Sequence, residues 1–133
     1  MKVTDIKELI ARETGCPLES LIDSALIELN LGITGDDAWE LIEAIHNEYK
    51  TDLSNFDFTL YFSPETGSIE NKEYGYYPVT VQTIVDSVIY GKWITPERDA
   101  LHYQRVRVSM RRRNILIISS VCIGIILLIV LQA

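Results

Sequence analysis

Four carboxylates and a tryptophan crowd into "GDDAWELIE", residues 35–43: Asp36, Asp37, Trp39, Glu40 and Glu43. Paired carboxylates can serve as acid and base or cage a metal. On a helix, however, Asp36 and Asp37 point in different directions. His46 has no serine, cysteine or second histidine at catalytic spacing. His46 is expected at the surface, and His102 at the edge of a membrane. Cys16 and Cys122 form no CxxC motif and lie in dissimilar segments, so neither a disulfide framework nor a zinc site is expected. The residues that remain suit electrostatic contact. Asp36, Asp37, Glu40 and Glu43 make an acidic stripe, either a solvated helix start or a docking face, and Trp39 beside it has the size of an interface anchor. The alternative for Trp39 is cover by loop 63–78, which needs an apolar surface to pack on, and the sequence favours cover. No catalytic residues, metal or cofactor are expected.

The elements that must position these residues follow from periodicity. Residues 3–14 put Ile6, Leu9 and Ile10 on one helical face, with Glu8 and Arg12 as an i, i+4 pair. Gly15 and Pro17 stop it. A long connection rich in leucine and isoleucine leads to Thr34, an N-cap residue that makes a near capping box with Asp37. Ala38, Leu41, Ile42, Ile45 and Tyr49 then define the core face of a second helix. Residues 51–62 predict a short helical turn capped by Asp52 or Ser54. A polar loop with three tyrosines, 63–78, follows, with a weak hairpin signal. Thr80 opens a last helix that Gly91 closes. The fold class is all-α: a small helical bundle with a long first connection.

Charge divides the chain. All nineteen acids lie between Asp5 and Asp99, and residues 1–104 carry only seven Lys or Arg, leaving that part at −12. Arg105, Arg107, Arg111, Arg112 and Arg113 form a basic collar, directly before seventeen uncharged residues, Ile115–Leu131. That run spans about 26 Å as a helix, close to the roughly 30 Å hydrocarbon core of a bilayer. The acidic body argues against a nucleic-acid partner. The collar predicts that the preceding body stays cytoplasmic on a tail-anchored, single-pass chain, with arginines at anionic headgroups. Trp93 and Tyr103 are expected near those headgroups. Ser120 and Gly124 make a weak helix-packing pair. The expected division is 1–92 for the body, 93–113 for linker and collar, and 114–132 for the anchor.

Residues 3–91 resemble an acyl carrier protein. "LGITGDDAWELIEAIHNEY" is similar to the segment in which carriers follow Leu-Gly with Asp-Ser-Leu, and "TVQTIVDSVIYG" is similar to their last helix. The likeness extends to uncharacterised bacterial carrier-like proteins that share the "ITGDD" turn and lack the serine. It implies a carrier-like bundle whose acidic second helix meets basic partner surfaces. The departure is Gly35, which stands where the phosphopantetheine serine would be. Glycine has no hydroxyl to esterify, so no prosthetic group is expected. The resulting expectation is a non-catalytic, membrane-tethered module at a bacterial inner membrane. It would bind a basic protein surface, with lipid or envelope metabolism as the setting the resemblance suggests. Two alternatives stand beside it: a carrier modified at a displaced residue such as Thr34 or Ser54, and a membrane-complex subunit acting through its span.

Overall fold

In the computed structural model, which describes residues 2–64 and 68–133, the chain is all-helical. The helices are α1 (Val3–Thr14), α2 (Gly35–Tyr49), α3 (Phe58–Tyr61), α4 (Val81–Tyr90) and α5 (Ala100–Gln132). A single 3-10 turn, Leu18–Ser20, interrupts the long connection from α1 to α2.

α1 packs against α2 and α4. The stripes read from periodicity meet there: Ile6, Leu9 and Ile10 of α1, Ala38, Leu41, Ile42 and Ile45 of α2, and Val81, Ile84, Val85 and Val88 of α4 are all buried. The first connection contributes Leu21, Ala25, Ile27 and Ile33 to the same core. It is pinned by main-chain bonds, Ile27 N to Val79 O at 2.9 Å and Val81 N to Ala25 O at 3.0 Å. Buried amides are thereby satisfied without a sheet. Arg12 departs from the expected partner Glu8. It reaches Glu48 of α2 at 2.7 Å and Glu13 at 3.1 Å, joining two helices rather than two turns of one.

The cap of α3 is Asp57, whose side chain accepts from Thr59 N, in place of Asp52 or Ser54. Asp52 instead accepts from Ser54 N, and that bond holds its carboxyl below the usual carboxylate range. No hairpin forms among the described residues of 63–78. The α3 region builds an aromatic satellite to the core. Trp93 lies edge-on to Phe56 at 4.8 Å and against Tyr61 at 5.1 Å. Trp93 is 3% exposed, so it belongs to the body and not to a headgroup layer. His102 is likewise buried, in contrast to the interfacial position expected from sequence.

α5 runs unbroken for 33 residues, about 50 Å. It contains a stretch long and apolar enough to cross a membrane, with mean hydropathy 2.9 and none of it buried. Its first turns are part of the body. Asp99 caps it by accepting from Leu101 N and His102 N, bonds that hold its carboxyl below the ordinary range. Val106 is buried.

Candidate functional site: an acidic face, a sealed turn and a partly engaged collar

The first turns of α2 carry Asp36, Trp39, Glu40 and Glu43 at the i, i+3, i+4, i+7 spacing of a single helical face, with Asp37 at its margin. All five are exposed. Among the described residues none of the four carboxylates forms an ion pair. Trp39 is 51% exposed and meets Phe58 edge-on at 5.7 Å, which fixes one side of the indole. The cover expected from loop 63–78 is not supplied by its described residues. That loop spends its apolar groups elsewhere, burying Tyr74 and laying Tyr76 on α5. No group of three or more potential metal ligands occurs among the described residues.

The turn before α2 is sealed. Gly35 is buried, its φ is +56°, and its N–H donates to Ser63 O at 3.1 Å. That φ lies in the left-handed region, where a Cβ is strained. Position 35 therefore lacks a hydroxyl and holds a backbone that disfavours any side chain. Thr34 occupies the N-cap, but its hydroxyl does not cap the helix. It turns away from the expected capping box to Ser63 O at 2.9 Å, Ser63 Oγ at 2.6 Å and Glu28 Oε2 at 3.0 Å. Ser63 N also donates to Glu28 Oε2 at 2.8 Å, and the Tyr74 hydroxyl donates to Glu28 Oε1. Burial and the adjacent carboxylate push the Tyr74 phenol well above its ordinary value, so it stays a protonated donor. Sequence reasoning passed over this cluster. Its one signal is Glu28, a lone acid in the apolar run "ALIELNLGI".

The collar arginines divide. Arg105 sits 3.7 Å from Asp99. Arg107 donates to Tyr74 O at 3.3 Å and lies over the Tyr103 ring at 4.7 Å. Arg107 thus faces the body, whereas Arg105 stays largely exposed beside the cap of its own helix. Arg111, Arg112 and Arg113 are exposed and make no ion pair among the described residues. The contact between body and collar depends on Gly75, at φ +100°. A Cβ there would come within 3.3 Å of Tyr103 Cδ2 and 3.5 Å of Val106 Cβ. Tyr76 stacks on Tyr103 at 4.1 Å, Arg98 covers the other aspect of Tyr76 at 3.7 Å, and Asp99 N donates to Tyr76 O at 2.7 Å. The Tyr-rich loop thus attaches the body to the top of α5. In the apolar part of α5, Ser120 Oγ donates to Leu116 O of its own helix, and Gly124 has open space around it.

Comparison with protein-family models, with curated proteins and with solved structures finds no match to this chain.

Proposed function

We propose that this chain is a non-catalytic protein-binding module, held at the cytoplasmic face of a bacterial inner membrane by α5. Its bundle would be of the acyl-carrier kind, without a phosphopantetheine arm. The observation that carries the reading is the sealed turn at Gly35. The backbone there is left-handed, buried and bonded to Ser63, and the neighbouring Thr34 hydroxyl is engaged by Glu28 and Ser63. An arm has no attachment point at that turn. What remains of a carrier is its docking helix, and on α2 the exposed acids and the half-exposed Trp39 support that role. An acidic face of this kind selects a basic protein surface, and its contribution is to association rate and specificity. A partner in lipid or envelope metabolism would meet it at the membrane, where α5 and the free arginines Arg111–Arg113 hold the body.

The intact mass of the full-length chain, extracted from the membranes of its host, tests the missing arm. An unmodified mass is expected. A phosphopantetheine adduct at any residue would overturn the reading and make the chain a carrier with a displaced attachment site.

A further inference from the structure

The junction between body and α5 encloses a cleft of about 230 Å³, lined on one side by Glu28, Thr34 and Tyr74 and on the other by Met110 and Arg113. Glu28 is half-buried and, among the described residues, has no cation within 4 Å. Its Oε2 accepts from Ser63 N and from one hydroxyl of the hydrogen-bonded Thr34–Ser63 pair, while Oε1 accepts only from Tyr74. A carboxylate offers roughly four lone-pair sites, so Oε1 keeps capacity for one further donor. Arg113 lines the same cleft and makes no ion pair. A negative and a positive group therefore share one small space without joining, and the half-buried carboxylate is hydrogen-bonded but has no counter-charge.

Position along α5 says what fits. Arg113 precedes Ile115, the start of the apolar run, by about 3 Å of helix rise. If α5 crosses a bilayer, as the proposed function holds, the cleft lies at headgroup depth. Its volume is below the roughly 300–1,000 Å³ of pockets for drug-sized ligands, so it holds a headgroup and not an acyl chain. Leu29, Val106 and Met110 give an apolar wall to a short carbon stem.

We propose that this cleft binds the headgroup of a zwitterionic aminophospholipid, with its primary ammonium on Glu28 and its phosphate on Arg113. A primary ammonium has three N–H donors for the open lone pair. A trimethylated ammonium has none, and an uncharged glycerol headgroup leaves the carboxylate uncompensated. Free phosphoethanolamine shares the recognised chemistry, but it has no tail to place it beside the span.

The test is native mass spectrometry of the full-length chain in detergent with equal amounts of phosphatidylethanolamine, phosphatidylcholine and phosphatidylglycerol. A charge-assisted hydrogen bond predicts retention of phosphatidylethanolamine over the other two by roughly tenfold. Glu28→Gln removes the charge but keeps an acceptor for Tyr74, and should bring the three lipids to near parity. Arg113→Gln touches no partner in the body and should lower retention of all three. It keeps the proposal testable if the Glu28 variant melts early. Equal retention by the unaltered chain, or a preference unchanged by Glu28→Gln, would overturn the proposal. Displacement of the lipid by soluble phosphoethanolamine would also overturn the lipid as occupant, giving the cleft to a soluble zwitterion, whereas no displacement supports the lipid. Alkali extraction of host membranes separately reads whether α5 anchors the chain, so failure of that premise is distinguishable from failure of the headgroup site.

Discussion

The N–H of Gly35 donates to the carbonyl of Ser63 at 3.1 Å, tying the first residue of α2 to the end of the α3 segment. Position 35 makes this bond with φ at +56°. It makes the start of α2 a structural joint.

On the proposed reading, Gly35→Ser does not make the chain a substrate for arm attachment. The left-handed conformation costs a non-glycine residue about 1–2 kcal/mol. Denaturant titration should show a loss of that size. Incubation with a phosphopantetheinyl transferase and coenzyme A should leave the mass unchanged. Efficient modification at wild-type stability would mean that the turn opens freely.

Trp93→Ala tests the extent of the body. Replacing a buried aromatic costs about 3–5 kcal/mol, and Trp93 is 3% exposed between Phe56 and Tyr61. Thermal melting of the full chain in detergent should reveal a loss in that range. A change below about 1 kcal/mol would fit a headgroup anchor instead.

The junction has its own probe in Tyr103→Ala. Stacked aromatic pairs contribute about 0.5–1.5 kcal/mol beyond area burial. Amide hydrogen exchange across 71–79 should quicken by roughly 2- to 10-fold, while exchange in α1 stays as it was. Uniform acceleration through the body would deny the loop its local attachment role.

His102 should make stability sensitive to mild acid. Burial lowers its pKa below the ordinary 6.5, nearby Arg105 adds to the shift, and Asp99 opposes it. Above 6.5 both folded and unfolded chains carry a neutral imidazole, and stability is intact. As pH falls from 6.5 toward the depressed folded value, the unfolded chain takes up the proton first, so stability declines and then levels off. The lowered carboxyls Asp52 and Asp99 titrate below 3.8, outside this window. The melting temperature should fall between about pH 7.5 and about pH 5.5, and His102→Phe should flatten that fall. An equal slope in the variant would assign the effect to another group.

The helices and their buried faces were legible because each of α1, α2 and α4 repeats apolar residues at helical spacing. The uncharged run in α5 was equally plain. The acidic face of α2 could be read from Asp36, Glu40 and Glu43 alone, since helical spacing determines which side chains are neighbours. The misread residues are those whose environment comes from distant chain. Trp93 and His102 follow the last glycine cap and precede the collar, so sequence adjacency suggested a headgroup layer. Trp93 is covered by Phe56 and Tyr61, and His102 lines a small space with Leu26, Tyr61 and Val79, all of which only the folded chain brings near. Trp39 was expected under the loop because local order hides that Tyr74 and Tyr76 are drawn to Glu28 and Tyr103 instead. The Glu28 cluster joins residues up to 46 positions apart, and no periodicity reports such a contact.

Docking of a basic protein surface on the acidic face of α2 is the proposal on which the function rests. A photoreactive amino acid at Glu43, in the full-length chain in its host's membranes, tests it most directly. The expected result is a discrete protein adduct that weakens as salt rises and disappears when Asp37→Lys and Glu40→Lys are combined in a chain that still melts normally. No adduct at low salt, or one that persists unchanged in the charge-reversed chain, would contradict it.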